Sequence, residues 1–220
     1  MGGFITPPPE YFSVLFDIVK RYGGVTIADE VQTGWGRTGG HLFGMQHWNV
    51  EPDMMVFAKG LGNGFAIGGV VARGDLMDGL SGNGISTFGG NPLSTAAANA
   101  TLDYVLSHDL QRNAAVVGTM IIDGLREAAA TVPVAGQVRG KGLMFALDLV
   151  DPATGAPSPA LATAMLEETR RRGLLIGKGG LSGHTLRMAP PLTLTEADAK
   201  EGLGILTDAL HAVSDQNAAG

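Results

Sequence analysis

Cysteine is absent from this sequence of 220 residues. Its absence excludes disulfide bonds, zinc ribbons and thiol nucleophiles. The five histidines, at positions 41, 47, 108, 184 and 211, also lack the spacing of metal ligands. We therefore expect no metal site, and a reducing compartment such as the cytoplasm fits this composition.

Charge is scarce and is not concentrated anywhere. Charged residues make up 16% of the chain and the net charge is −6, without a basic block, which disfavours a nucleic-acid partner. No apolar run approaches the roughly 20 residues of a membrane-spanning helix, so we expect no membrane partner. The first residues lack the basic and apolar regions of a secretory signal, and we predict a cytoplasmic protein.

Glycine, by contrast, is abundant. The 34 glycines cluster at 34–44, 60–90 and 173–183, between apolar segments. This placement is typical of backbone that approaches a ligand or a crowded interface.

Hydrophobic periodicity predicts two kinds of structure. Residues 1–109 indicate an α/β region, and residues 110–220 indicate long helices followed by an α+β region. Predicted strands span 25–28, 54–58, 67–72, 143–150, 174–176 and 185–188. Predicted helices begin near 7–10 and span 91–107, 110–130, 160–172 and 195–213. The segment between Thr33 and Glu51 is too rich in glycine and aromatic residues for regular structure, and we expect it to cover a site.

Two predicted strands end in residues of opposite charge. Asp29 follows the apolar run 25–28, and Lys59 follows the run 54–58 and opens a glycine-rich stretch. Open α/β sheets bind ligands outside the carboxyl ends of their strands. Because a lysine there is costly to desolvate, we expect it to do chemistry or to neutralise a ligand. Taken alone, Asp29 is better explained by a cap or an ion pair, and Lys59 by a solvated side chain.

Two further segments suit anionic groups. Residues 86–92 place two hydroxyls and free backbone amides before a predicted helix, where a phosphate can bind. An ordinary capped loop explains this segment about as well. Arg187 lies between Leu186 and Met188 on an apolar strand, and its guanidinium suits a carboxylate. A salt bridge to an internal acid is the alternative.

Together, these groups are what pyridoxal phosphate chemistry requires. A lysine bonds covalently to the cofactor aldehyde, and an acid keeps the pyridine nitrogen protonated so that the ring withdraws electrons. The same lysine then transfers a proton as general base and acid. A phosphate-binding loop and a carboxylate-binding arginine complete the set.

Four segments resemble the class III (ω) aminotransferases of fold type I. They are residues 29–39 (DEVQTGWGRTG), 52–64 (PDMMVFAKGLGNG), 86–92 (STFGGNP) and 185–191 (TLRMAPP). Within that class they are most similar to the alanine–glyoxylate aminotransferase type 2 branch. The resemblance implies an α/β fold, with part of a large-domain sheet in 1–109 and a linking helix and small α+β domain in 110–220.

The resemblance also implies residue roles in the cofactor site. Asp29 would pair with the pyridine nitrogen, and Val31 would pack on the ring face. Gln32 would donate a hydrogen bond to the phenolic oxygen. Lys59 would form the covalent bond to the cofactor.

Two more implied roles concern the phosphate and the substrate. Thr87 would contact the cofactor phosphate of the neighbouring subunit, so the active unit would be a homodimer with shared active sites. Arg187 would bind the α-carboxylate of an amino acid. The implied reaction moves an amino group between an amino acid, alanine-like or an ω-amino donor, and a 2-oxo acid or glyoxylate.

Family members begin much earlier than this sequence does. The earlier half carries the main phosphate anchor and an aromatic residue that stacks on the cofactor. We therefore expect the isolated chain to bind pyridoxal phosphate weakly or not at all. The alternatives are a non-catalytic or split-gene module that needs a separate amino-terminal half, and a decarboxylase or aminomutase with the same cofactor.

Overall fold

The computed structural model describes residues 2–82 and 84–219. They form two compact units. Residues 7–112 make up the first unit, and residues 113–219 make up the second together with residues 2–6.

The first unit is built on a three-stranded sheet. In chain order its elements are α1 (Tyr11–Arg21), β1 (Ile27–Asp29), β2 (Met54–Phe57), β3 (Gly69–Ala72), α2 (Gly74–Asp78) and α3 (Pro92–Ser107), with 3₁₀ turns at Gly44–Trp48 and Lys59–Gly62. β1 pairs with β2 in parallel, and β2 pairs with β3 antiparallel. The strands predicted at 54–58 and 67–72 and the helix predicted at 91–107 are confirmed within a few residues.

Several apolar side chains in and beside the sheet of the first unit are exposed to solvent. Val25 and Ile27 are 44% and 60% exposed, and Val70 and Val71 are 53% and 56% exposed. The prediction of a buried strand at 25–28 is therefore wrong for Val25 and Ile27, whereas Ala28 is buried as predicted. The physical reason is that successive side chains of extended backbone point to opposite faces. Thr26 and Ala28, each 5% exposed, lie on the covered face, and Val25 and Ile27 lie on the other.

The second unit is a four-stranded antiparallel sheet with helices. Its elements are α4 (Leu110–Ala129), which begins three residues before the unit does, β4 (Ala135–Lys141), β5 (Met144–Leu149), α5 (Pro159–Arg171), β6 (Gly177–Gly179), β7 (Thr185–Met188) and α6 (Glu196–Ala219). The strand order is β4-β5-β7-β6. A strand predicted at 174–176 lies instead at 177–179, and β4 was not predicted because its glycines disfavour a strand.

One contiguous core fills the second unit. One face of the sheet carries Phe145, Leu147, Leu186 and Met188 into a cluster with α4, α5 and α6. Gly118 lets α4 approach the turn after β4, because a Cβ there would lie 2.2 Å from the carbonyl of Gly142. Across residues 2–82 and 84–219, no helix is both long and apolar enough to cross a membrane.

Candidate active site

Asp29 and Lys59 lie at the same end of the first unit's sheet, where β1 and β2 finish. Asp29 is the last residue of β1 and is in register with Val56 of β2. Lys59 follows the end of β2 by two residues. Since the two strands are parallel, their carboxyl ends bring the carboxylate and the amine to one edge, as the sequence predicts.

Lys59 begins a tight turn with an unusual backbone conformation. Its φ is +44°, a left-handed value that is uncommon outside glycine and clusters at functional sites. The 3₁₀ turn Lys59–Gly62 is anchored by the buried Leu61 and packs against α3. The Lys59 side chain itself is exposed, and its amine has no hydrogen bond or ion pair with the described residues. No described residue therefore holds the amine away from a ligand.

Asp29 opens a turn that carries two further candidates. Its Oδ1 accepts a hydrogen bond from the Val31 backbone N–H at 3.1 Å. Its Oδ2 has no partner among the described residues, so one carboxylate oxygen is available to a ligand. Val31 and Gln32 follow directly and are half-buried. Three of the predicted cofactor residues thus share one turn.

Glu30, between these candidates, was not predicted to matter. It is 1% exposed, and its carboxylate accepts hydrogen bonds from the Gly44 N–H at 2.9 Å and the Met45 N–H at 2.8 Å. The Thr33 hydroxyl donates a third. Glu30 therefore ties the segment between Thr33 and Glu51 to the turn that carries Asp29. The one sequence signal was an acid placed directly after an apolar strand.

Asp53 fixes the parallel register at the other end of the strands. Its Oδ2 accepts hydrogen bonds from the Thr26 N–H and hydroxyl, both at 2.8 Å, and its Oδ1 accepts one from Arg73. The Thr26 backbone and side-chain hydrogen bonds, aided by the charge of Arg73, lower the pKa of Asp53 below its ordinary value. Asp53 therefore stays ionised and holds β1 beside β2.

Thr87 lies on an exposed loop that leads into α3. Asn91 caps that helix by accepting a hydrogen bond from the Ser94 N–H at 2.9 Å. The neighbouring Phe88 is 81% exposed. Thr87 itself is exposed in the described first unit.

Arg187 lies in the second unit, on β7. Its guanidinium carbon is 4.2 Å from the centre of the Phe4 ring. Its Nε is buried without a hydrogen-bond partner, and the guanidinium forms no ion pair with any residue that the structure describes. The internal salt bridge considered from the sequence is absent there. Arg187 also lines a mainly apolar cavity of about 370 Å³.

The family profile described as "Aminotransferase class-III" matches residues 1–210. The chain belongs to the class-III aminotransferases. Alanine–glyoxylate aminotransferase 2 homolog 2 of Arabidopsis thaliana is 40% identical over 90% of this chain and 42% of its own length. The alanine/serine racemase of Pyrococcus horikoshii is 37% identical over 95% of this chain and 44% of its own length.

Solved structures share the fold of this chain. A phospholyase from Arthrobacter in complex with phosphoethanolamine superimposes with a TM-score of 0.92 at 37% identity, over 96% of this chain and 51% of its own. A transaminase from the marine bacterium Virgibacillus gives a TM-score of 0.89 at 30% identity, over 97% and 51%. The predicted family and the α/β fold type I are confirmed. The chain spans about half the length of the relatives that it matches.

Class-III aminotransferases use pyridoxal phosphate, and the first unit's residues fit that group. The cofactor needs an unpaired amine and a carboxylate oxygen at one edge of the sheet, and Lys59 and Asp29 offer them. The Gln32 side chain has no other partner in the described chain. No group of three or more His, Asp or Glu in that part of the chain is arranged to hold a metal ion.

Proposed function

We propose that this chain supplies the reactive half of a transaminase that moves an amino group between an amino acid, alanine-like or an ω-amino donor, and a 2-oxo acid or glyoxylate. The observation that carries the proposal is that Lys59, with an unpaired amine, and Asp29, with a free carboxylate oxygen, follow the carboxyl ends of two neighbouring parallel strands. Residues 1–109 would be the carboxyl-terminal part of the large cofactor-binding domain. Residues 110–220 would be the linking helix and the small domain.

The residues of the Asp29 turn would hold the cofactor. When bound, pyridoxal phosphate supplies an aldehyde and an electron-withdrawing ring. Asp29 would accept a hydrogen bond from the ring nitrogen through its free oxygen and keep it charged. Val31 would exclude water from one ring face, and the Gln32 amide would donate to the phenolic oxygen.

Lys59 would be both the attachment point and the proton carrier. Its amine would hold the cofactor through the aldehyde and, with substrate bound, would accept a proton from the substrate Cα as general base and give it back as general acid. Arg187 would bind the substrate α-carboxylate, because a guanidinium without an internal acid partner is available for one.

Thr87 would serve the neighbouring subunit. Its loop is exposed and lies outside the Asp29 turn, which fits a residue that contacts the phosphate in a homodimer with shared sites. A cytoplasmic location fits the absence of cysteine, although the Arabidopsis relative is named as mitochondrial.

A second candidate function is a module that needs a separate amino-terminal half. The exposed valines of β3 and the exposed Ile27 favour it, because such apolar sheet faces are normally covered. Two of the proteins to which the chain is similar are named as a racemase and a phospholyase. Related chemistry on the same cofactor, such as decarboxylation or an aminomutase reaction, is therefore a further alternative.

The test asks which lysine takes up the cofactor. The chain is mixed with pyridoxal phosphate, its visible absorbance is recorded, and the product is reduced with borohydride and mapped by mass spectrometry. Because we expect the isolated chain to bind the cofactor weakly, the cofactor is added in excess. If this chain carries the reactive lysine, the band that forms comes with a mass increment on the peptide that contains Lys59, and Lys59→Ala loses both. Lys20→Ala, an exposed lysine of the same unit, is the control.

The reaction is tested with the same protein. Alanine and glyoxylate are added, and pyruvate and glycine are measured. Amino transfer that Lys59→Ala abolishes supports the transaminase. Cofactor bound at Lys59 without amino transfer would favour the other reactions, and no bound cofactor in any variant would favour the incomplete module.

A further inference from the structure

One face of the second unit's sheet carries two arginines in a row. Arg139 of β4 is in register with Ala146 of β5, and Ala146 is in register with Arg187 of β7. Directly paired residues of antiparallel strands lie on the same face. The two arginines therefore flank Ala146, which is fully buried.

Arg139 is held rigidly by Asp148. Asp148 accepts hydrogen bonds from both Nη atoms of Arg139, one of them at 2.9 Å, and from the Thr185 hydroxyl at 2.6 Å. Burial alone would raise the pKa of Asp148, but these hydrogen bonds and the charge of Arg139 outweigh it, and the pKa is lowered. The pair therefore stays ionised near neutral pH.

The same arginine binds the start of the chain. Arg139 donates to the Gly3 carbonyl from Nε at 3.0 Å and from Nη2 at 2.8 Å. Gly3 has a φ of +79°, and a Cβ there would lie 3.1 Å from Arg139 Nη2. Glycine is favoured at this position, because it combines a left-handed backbone with a close approach to Arg139.

Phe4 is thereby placed against Arg187. Its φ is +56°, an unusual value for an aromatic residue, and it is only 9% exposed. The ring centre lies 4.2 Å from the guanidinium carbon, within cation–π distance. Gly179 makes room on the adjacent strand, since a Cβ there would lie 2.7 Å from Arg187 Cδ.

We propose that Phe4 is a positioning residue that holds the Arg187 guanidinium ready for a substrate carboxylate. A carboxylate partner would occupy the N–H groups that the substrate needs, whereas an aromatic face attracts the cation and leaves those donors unpaired. The Arg139–Asp148 pair acts one step further away by fixing Gly3. This inference rests on the proposed role of Arg187 in binding carboxylates.

The test measures the Arg187 side chain directly. In ¹H–¹⁵N spectra of the arginine Nε–H groups, Arg187 is assigned by its loss in Arg187→Lys. We expect the Phe4 ring to shift this resonance, Phe4→Leu to remove the shift, and Phe4→Tyr to retain it. Phe65→Leu, a half-exposed phenylalanine of the first unit, is the control and leaves the resonance unchanged.

Carboxylate binding is measured on the same signal by titration with pyruvate. Loss of the cation–π contact weakens the apparent affinity by about 2–5-fold in Phe4→Leu, whereas Phe4→Tyr binds like the unaltered chain. Where Phe4→Leu does not fold, Phe4→Met removes the ring with a more flexible side chain. An Arg187 resonance unmoved by ring removal, or equal weakening in the leucine and tyrosine variants, overturns the proposal.

The experiment distinguishes failure of the proposed Arg187 role from failure of the proposed Phe4 role. If pyruvate does not perturb Arg187 in the unaltered chain, the carboxylate role of Arg187 is refuted, and with it the functional part of the Phe4 proposal. A ring-dependent shift in that same protein would show that the contact nevertheless exists in solution. If the shift is absent while pyruvate still binds, Arg187 keeps its role and Phe4 loses its own.

Discussion

Replacement of Glu30 should destabilise the first unit more than its place in a loop suggests. The carboxylate accepts hydrogen bonds from two backbone N–H groups, of Gly44 and Met45, and from the Thr33 hydroxyl. In Glu30→Ala both backbone donors lose their acceptor. An orphaned buried donor costs about 1–3 kcal/mol, and the half-buried Met45 N–H costs less than the buried Gly44 N–H, so we expect a loss of about 2–4 kcal/mol in the free energy of unfolding. Glu30→Gln keeps one oxygen and should lose roughly half as much.

Tryptophan fluorescence during urea unfolding is a direct assay. The chain has two tryptophans, and both lie in the segment that Glu30 ties down. The Trp35 ring contacts Phe43 at 5.3 Å between centres, and the Trp48 ring contacts Phe12 at 5.0 Å. With a slope of about 1–3 kcal/mol per molar urea, a loss of 3 kcal/mol lowers the midpoint by roughly 1–3 M.

Glu51→Gln is the matched control, because Glu51 is an exposed carboxylate of the same segment with no hydrogen bond to the described residues. Its midpoint should equal that of the unaltered chain. The reasoning would be refuted if Glu30→Ala unfolded at the same urea concentration as Glu51→Gln. In that case the three hydrogen bonds of Glu30 would contribute no more to the free energy of unfolding than hydration of the separated groups does.

Two further predictions concern the second unit. Folding lowers the pKa of Asp148, so the ionised carboxylate stabilises the fold above about pH 4, and this stabilisation is lost as pH falls through the folded pKa. Asp148→Asn should therefore be less stable than the unaltered chain by about 1–3 kcal/mol at pH 7. Unfolding curves recorded at decreasing pH should show this difference in stability becoming smaller. Gly118→Ala should cost about 1–3 kcal/mol despite the better helix propensity of alanine, because its Cβ would lie 2.2 Å from the Gly142 carbonyl. Gly202→Ala in α6 is the control and should be neutral or slightly stabilising, because a Cβ there meets nothing within 4 Å. The stabilities of the two glycine variants are compared by far-UV circular dichroism during urea unfolding.

Local signals in the sequence predict the elements that depend on local chemistry. α3 begins where Asn91 caps it and Pro92 takes the first helical position, so its bounds follow from a few adjacent residues. The placement of Asp29 and Lys59 at the ends of two strands is also predicted locally, because each residue directly follows an apolar run. β4 does not, because Gly136 and Gly140 weaken any strand pattern and only its pairing with β5 defines it.

Two positioning residues could not be found from sequence patterns for the same physical reason. Glu30 acts on backbone groups 14 and 15 residues away. Phe4 depends on an arginine that binds its neighbour Gly3 from 136 residues away. A periodic pattern predicts which face of a helix or strand is buried, but it carries no information about which distant polar group contacts a given residue.

The two units give their candidate residues different kinds of support. Arg187 extends from a sheet whose other face is packed into one contiguous core, so its surroundings are fixed by many buried side chains. Asp29 and Lys59 extend from a three-stranded sheet with exposed valines, and their positions depend on a few polar anchors such as Glu30 and Asp53. A substitution near Lys59 can therefore abolish cofactor binding by loosening the sheet alone. It identifies a chemical role only where the tryptophan signal of the first unit is unchanged.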